Sequence, residues 1–166
     1  MWKAHSKAAN ATMVDASNVL LLHPSRPTSG FSLEKLQRPA AGSTDVPKRL
    51  VIGTIYYFDQ SPSNDFIEFF EREVATVLRD TGASIIGQFV TESSPNTFRA
   101  LPVREGEHVF IFFSSFRDLA AYEHYVEQLG RSRRWNGGTL KALLSRIKRP
   151  PEILRLSPTA RSLVGR

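Results

Sequence analysis

The stretch from residue 107 to residue 128 contains a change of periodicity that constrains the fold more than any other feature of the chain. Its sequence is EHVFIFFSSFRDLAAYEHYVEQ. The residues from His108 to Phe113 are apolar or aromatic on both sides of a strand, whereas the apolar positions after the serine pair follow helical spacing. We therefore predict a buried strand that leads directly into a helix.

The chain before this stretch supplies two strands and a helix. LVIGTIYYF, from Leu50 to Phe58, is rich in β-branched and aromatic residues and predicts the first strand. Ser61 and Pro62 then predict the start of a helix that ends at Gly82. ASIIGQFVTE, from residue 83 to residue 92, predicts the second strand, which a long connection joins to the third.

The helix that follows the third strand is predicted to begin at a capping box formed by Ser115 and Asp118. Its predicted buried stripe consists of Leu119, Tyr122, Val126 and Leu129. Thr139 is predicted to cap a short extra helix, and EILRL, residues 152–156, predicts the last strand. The resulting order is the ferredoxin-like βαββαβ plan of an α+β protein, with an antiparallel sheet and an extra short helix before the last strand.

The first and third predicted strands scarcely alternate between apolar and polar residues. An antiparallel sheet with helices on one face usually exposes its other face to water and alternates accordingly. We therefore expect a second layer on that face. The candidates are a second copy of the domain, a preceding domain in the same chain, or a flat ligand stacked on the aromatic side chains.

The chain before the first strand does not begin like a domain. We divide the sequence into residues 1–24, a linker at 25–48, a domain at 49–158 and a tail at 159–166. Trp2 and the later NVLLLHPSR resemble Trp135 and the later EILRLSPTAR, with similar spacing between the tryptophan and the apolar run. We interpret residues 1–24 either as the remnant of a preceding repeat, in a truncated tandem protein, or as an unrelated N-terminal extension.

The charge distribution bears on possible binding partners, and the cysteine content bears on the cellular compartment. The net charge is +6, and residues 131–166 hold ten Lys or Arg against the single acid Glu152. This basic tail is either a solvated surface or a contact for an anionic ligand, nucleic acid or membrane surface. The chain has no cysteine, which excludes disulfides and fits a cytoplasmic protein. Because no apolar run approaches the roughly 18 residues of a membrane span, we expect no membrane partner.

Several strand residues could line a pocket between paired sheets. They are Tyr56, Tyr57, Gln88, Phe110 and Phe112. A few polar groups in an aromatic wall would suit a planar, mostly apolar ligand. His108 is the candidate catalytic residue, because an imidazole can carry a proton near neutral pH. The alternative is that the aromatic residues form core and that His108 lies at the rim of a strand.

A second candidate site lies in the loop after the third strand's helix. Arg131, Arg133 and Arg134 stand next to Trp135, and this combination of positive charge and aromatic surface could contact the carboxylate or phosphate of a ligand. The same residues could equally form a solvated loop.

Metal and cofactor chemistry have little support in the sequence. Glu123, His124 and Glu127 lie close together on a predicted helix, but no second histidine stands four residues away. A solvated helix face explains them, so we predict no metal site. No residue set specifies a cofactor, and none is predicted.

Three segments, GTIYYF, FIFFSSFRDLAAYEHY and the terminal LRLSPTARS, resemble the NIPSNAP family within the dimeric α+β barrel superfamily. The resemblance covers about residues 49–162. It implies that two sheets, from two subunits or two tandem domains, close face to face as a homodimer or tandem pair. It implies little chemistry, since NIPSNAP-like proteins mostly lack an assigned activity, whereas related barrels include cofactor-independent monooxygenases and haem-handling enzymes.

An RNA-recognition motif has the same element order and is the remaining alternative. In that class, aromatic residues on the first and third strands stack on bases. Phe110 and Phe112 fit this role superficially, but VFIFF lacks the glycine expected before the strand core. Nucleic acid is therefore not the expected partner.

Overall fold

The computed structural model describes residues 5–8, 11, 18–34, 36–97 and 103–164. Within these ranges the chain forms a five-stranded antiparallel sheet in the order β1-β3-β4-β2-β5. The strands are β1 (Leu22–Pro24), β2 (Leu50–Phe58), β3 (Ser84–Thr91), β4 (His108–Phe116) and β5 (Glu152–Leu156). The helices are α1 (Asn64–Phe69), α2 (Ala75–Asp80), α3 (Leu119–Arg131) and α4 (Leu140–Leu144), and π-helical segments occupy Phe70–Val74 and Trp135–Thr139. Among the described residues, no helix is long and apolar enough to cross a membrane.

The predicted α+β class and βαββαβ order are confirmed. β2 and β5 have the predicted bounds, but β4 continues beyond the predicted strand to Phe116. The extra residues pair with the start of β2, where Ser114 lies opposite Ile52 and Phe116 lies opposite Leu50.

The longer strand changes how α3 begins, so the predicted capping box is wrong. Ser115 lies inside β4 opposite Val51 and is 5% exposed, which places it away from the helix. Asp118 alone caps α3, where its Oδ1 accepts a hydrogen bond from the Ala121 amide at 2.8 Å. This hydrogen bond, followed by that of the Arg117 side chain, lowers the pKa of the Asp118 carboxyl.

The cap of α1 is Ser63 rather than the predicted Ser61. The Ser63 Oγ accepts a hydrogen bond from the Phe66 amide at 3.2 Å, whereas the Ser61 Oγ lies 3.4 Å from His108 Nδ1. We expect Ser63→Ala to lower the free energy of unfolding by about 1 kcal/mol, because the Phe66 amide at the start of the helix loses its hydrogen-bond acceptor. Ser61→Ala is the matched control and should change the unfolding midpoint in urea by much less. Equal effects of the two substitutions would contradict this assignment.

The helices cover one face of the sheet, which we call the first face. Tyr56 from β2 and Phe110 and Phe112 from β4 point toward the helices and are 3%, 0% and 4% exposed. The Phe70 ring lies 4.6 Å from that of Phe110 and 5.0 Å from that of Phe112, centroid to centroid. The sequence-based hypothesis placed Phe110 and Phe112 in the wall of a pocket between paired sheets. The structure places them between the sheet and the helices instead.

The buried stripe of α3 also differs from the prediction. Tyr122 is buried, and Tyr125 and Leu129 are half-buried against the first-face core. Leu119 and Val126 are 51% and 48% exposed. The positions 122, 125 and 129 form one helical row, so the row that faces the sheet lies beside the predicted one.

The extra helix is interrupted just before the predicted cap. The segment that begins at Trp135 contains Gly138, whose φ of 166° and ψ of −34° are not helical. Thr139 has helical dihedral angles, with φ −58° and ψ −46°, and its side chain makes no capping hydrogen bond, so it does not cap α4 as predicted. Leu143 is the residue of α4 that enters the core, at 2% exposure.

The opposite side of the sheet, the second face, is also apolar. Its central residues are Ile55, Tyr57, Val109 and Ile111, which are at most 3% exposed. Leu20 and Leu22 pack against them from the N-terminal part of the same chain. The second layer that the strand composition requires is therefore supplied, in part, by residues that precede the predicted domain. The predicted division of the chain at residue 48 stays a prediction.

Phe31 anchors this N-terminal layer on the second face. Its ring centroid lies 5.0 Å from that of Phe89 and 5.1 Å from that of Phe113. Gly87 lies directly beneath the Phe31 ring, because a Cβ there would be 2.9 Å from the Phe31 ring and 2.8 Å from the Phe89 ring. A side chain at residue 87 would therefore displace Phe31.

Candidate functional site

A polar cluster lies at the end of the second face where β2 ends and β5 begins. At its centre is Tyr57, which is 2% exposed. The Tyr57 hydroxyl donates a hydrogen bond to Glu152 Oε2 at 2.6 Å and accepts from both terminal nitrogens of Arg104, each at 3.4 Å. Arg104 also pairs with Glu107 at 2.6 Å, and the Arg149 guanidinium lies 3.6 Å from the Tyr57 ring centroid. We call these five residues the Tyr57 cluster.

The electrostatics of the Tyr57 cluster keep the phenol neutral. Burial, followed by the hydrogen bond to Glu152, raises the pKa of the Tyr57 hydroxyl. The hydrogen bond to Glu107 raises the pKa of the Arg104 guanidinium, so that group stays charged. A neutral phenol whose proton is held by a carboxylate is a poor general base. The cluster is suited to holding the loop around Arg104 and the start of β5 against the sheet.

His108 follows Glu107 of this cluster in the chain, but its side chain lies on the first face of the sheet. It begins β4 opposite Phe58, and neighbouring positions on a strand point to opposite faces. Its Nδ1 lies 3.4 Å from the Ser61 Oγ. Both residues line a half-open cleft of about 740 Å³. Other described residues of this cleft include Thr91, Glu92, Ser94, Arg104 and Glu107.

The structure separates the predicted pocket residues. Tyr56, Phe110 and Phe112 belong to the core beneath the helices, and burial raises the pKa of the Tyr56 hydroxyl. Tyr57 points to the second face. Gln88 lines a different cleft of about 460 Å³ together with Ser29, Phe31 and Arg79. Side chains predicted to form one wall therefore lie on opposite faces of the sheet, since Gln88 pairs with Phe112 and Tyr57 is on the second face.

Gln88 has an unusual environment within the described part of the chain. The residue is 8% exposed, and its Oε1 is buried without a hydrogen-bond partner among the described atoms. Its main chain is well bonded, because its amide donates to Ser29 O at 2.8 Å and its carbonyl accepts from the Ser25 amide at 3.0 Å. Its established contacts therefore fix the N-terminal layer rather than a ligand.

The predicted anion-contact residues are divided between internal ion pairs and packing. Arg131 pairs with Glu127 at 2.7 Å, and Arg134 pairs with Glu73 at 2.9 Å. Arg133 is exposed, and Trp135 is partly buried against the first-face core. Two of the three guanidinium groups thus already contact carboxylates of the same chain.

The described residues contain no group of three or more His, Asp or Glu side chains arranged to hold a metal ion.

Four members of the Tyr57 cluster were not identified from the sequence: Arg104, Glu107, Arg149 and Glu152. They are far apart in the chain, since the Tyr57–Glu152 contact spans 95 positions, and no linear motif connects them.

Comparison with solved structures finds proteins of the same fold. A NIPSNAP family protein from Agrobacterium tumefaciens is 19% identical with a TM-score of 0.52, over 67% of this chain and 93% of that one. A NIPSNAP-like domain protein from Burkholderia xenovorans is 18% identical with a TM-score of 0.55, over 70% and 90%. A second NIPSNAP family protein from A. tumefaciens, of unknown function, is 15% identical with a TM-score of 0.55, over 70% and 93%.

Comparisons of the sequence with protein-family models and with curated proteins give no match. The structural comparisons agree with the sequence resemblance noted for GTIYYF and LRLSPTARS, which predicted the same fold. This chain therefore has the α+β fold of the NIPSNAP proteins.

Proposed function

We propose that this chain is a NIPSNAP-like domain protein that pairs its sheet with a second copy to form an α+β barrel. The observation that carries the proposal is a partly exposed apolar pair of residues on the second face. Leu154 and Leu156 lie opposite Gly53 and Val51, so they point to the second face, and they are 37% and 41% exposed. The N-terminal layer therefore leaves the β5 side of this face open.

The position of these two leucines favours a protein partner. β5 is a terminal strand in the order of the described sheet, and edge strands with exposed apolar residues invite association. Pairing two copies would bury Leu154 and Leu156 of both, and face-to-face closure is the arrangement implied by the sequence resemblance. A cytoplasmic homodimer is part of this proposal.

Light scattering coupled to size-exclusion chromatography tests the pairing. The wild-type chain should elute with twice its 18.6 kDa mass. Leu154→Glu with Leu156→Glu should raise the dimer dissociation constant at least about tenfold, because unpaired carboxylates would be buried at the contact. Val126→Glu is the matched control, since Val126 is 48% exposed on α3 and outside the second face. A wild-type monomer at all concentrations would overturn the proposal.

The alternative of a cofactor-independent monooxygenase or haem-handling enzyme has less support. Such an enzyme needs an enclosed pocket with a proton acceptor, yet the proton of Tyr57 is directed at Glu152, and the cleft that His108 lines is half-open. The RNA-binding alternative needs accessible aromatic residues, whereas Phe110 and Phe112 are buried beneath helices. The contacts of these residues favour pairing over either alternative.

A further inference from the structure

The segment after β5 folds back beside the second face and forms a cleft with the chain before β2. This segment turns at residues 159–162, where the Thr159 amide donates to Ser162 Oγ at 2.8 Å. The Arg161 Nε donates to Pro39 O at 3.2 Å and so ties the two segments together. The cleft measures about 430 Å³, and we call it the tail cleft. The residues of its lining that bear on binding are Arg38, Val51, Leu156, Arg161 and Leu163.

The lining of the tail cleft is positively charged. Among the described residues it includes the guanidinium groups of Arg38 and Arg161 and no carboxylate. Neither arginine belongs to any of the ion pairs in the described part of the chain, whereas Arg131 and Arg134 both contact carboxylates. A guanidinium group binds carboxylates through paired hydrogen bonds. The charge of this cleft therefore favours an anionic group.

The floor of the tail cleft is apolar. Val51 and Leu156 lie directly opposite each other on β2 and β5. Leu33, Leu163 and Val164 line both this cleft and the neighbouring cleft of about 460 Å³ beside β3. An apolar path therefore leads from the two guanidinium groups toward the second cleft.

A buried serine hydroxyl lies next to this floor. Ser115 is opposite Val51 in the β2–β4 ladder, and it faces the second face because Phe113, two residues earlier, packs there. Ser115 is 5% exposed, and its Oγ has no hydrogen-bond partner among the described atoms. Because a buried hydroxyl without a partner is unfavourable, an oxygen atom bound beside Val51 would gain a hydrogen bond from Ser115.

We propose that the tail cleft binds a fatty carboxylate, with its carboxylate group between Arg38 and Arg161 and its alkyl chain on Val51, Leu163 and Val164. The two guanidinium groups select the charged end of this ligand, and the apolar residues shared by the two clefts select its chain. A few polar groups in an apolar wall are typical of small-molecule sites. The proposal does not rest on the proposed pairing, although Leu156 borders both surfaces.

Isothermal titration calorimetry with sodium octanoate tests this assignment. We expect saturable binding, with a dissociation constant at least about tenfold lower than that of acetate or of octan-1-ol. Acetate lacks the alkyl chain and octan-1-ol lacks the charge, so the comparison measures both halves of the site. Absence of saturable octanoate binding, or equal binding of octan-1-ol, would overturn the proposal.

The double variant Arg38→Gln with Arg161→Gln locates the site. It should raise the octanoate dissociation constant at least about tenfold, because both cations that face the carboxylate are removed. Arg133→Gln with Lys141→Gln is the matched control, since both residues are exposed, line neither cleft and carry the same total charge. An equal rise in the control would reduce the effect to general electrostatic attraction and contradict the site.

Light scattering with and without octanoate separates this proposal from the pairing. Octanoate binding by a chain that stays monomeric supports the site and overturns only the pairing. A dimeric chain that does not bind octanoate overturns the site and leaves the pairing intact.

Discussion

Replacing Phe110 with alanine is expected to lower the free energy of unfolding by about 3–5 kcal/mol. Phe110 is 0% exposed, and its ring lies 4.6 Å from that of Phe70 and 5.3 Å from that of Phe66. The substitution leaves a cavity between β4 and α1 and removes contacts from both helical and strand residues. Urea denaturation followed by circular dichroism measures the change.

Leu119→Ala is the control for this measurement. Leu119 is 51% exposed on α3, and its truncation should change the free energy of unfolding by no more than about 0.5 kcal/mol. An unchanged stability for Phe110→Ala would instead indicate that Phe110 lines an open pocket, which was the sequence-based hypothesis.

Removing the hydroxyl of Tyr57 should also have a large effect. Tyr57→Phe deletes the 2.6 Å hydrogen bond to Glu152 and is expected to lower the free energy of unfolding by about 1.5–3 kcal/mol, the range for hydrogen bonds to charged groups. Tyr57→Ala also removes the ring beneath Arg149 and should lower it by about 3–5 kcal/mol. The same denaturation assay compares the two variants with the wild-type chain.

The Tyr57 prediction has a matched control and a pH signature. Glu152→Gln keeps an oxygen that can accept a hydrogen bond from the Tyr57 hydroxyl, so it should lower the free energy of unfolding by less than Tyr57→Phe does. Because the pKa of Tyr57 is raised in the folded state, its stabilisation is fully present below the unfolded pKa of about 10 and is lost as pH rises through the folded value. Tyr57→Phe should remove that part of the alkaline loss of stability. An unaltered alkaline profile in Tyr57→Phe would contradict the assignment.

Both predictions depend on which face of the sheet a residue occupies, and this was only partly predictable. Period-two alternation places Tyr56 and Tyr57 on opposite faces. It does not say which of them lies under the helices, because both faces of β2 and β4 are apolar. The structure puts Tyr56 with Phe110 under the helices and Tyr57 with Val109 on the second face.

The capping residues of the helices also could not be predicted from local sequence patterns alone. Ser61 and Ser115 both satisfy cap patterns, yet Ser63 and Asp118 perform the capping. In the second case the β2–β4 ladder extends far enough to place Ser115 inside a strand. Tertiary pairing thus decided between two locally acceptable caps.

The Tyr57 cluster could not be predicted from the sequence, because it too depends on tertiary pairing. The Tyr57 cluster joins residues that are 47 and 95 positions apart. Their side chains meet only because the last residues of β2, the first residue of β5 and the loop before β4 lie at the same end of the sheet. The docking of Phe31 over Gly87 is equally non-local, since nothing in the composition of residues 25–48 marks Phe31 as an anchor.

The sequence by itself determined the order of the strands and helices, the bounds of β2 and β5 and the need for a second layer on the sheet, because periodicity and apolar content are local properties. The tertiary structure alone decided that residues 18–31 form part of that layer and that the β5 side of the second face stays open. Those outcomes depend on contacts between distant segments, whose free energies are not recorded in any single stretch of the chain.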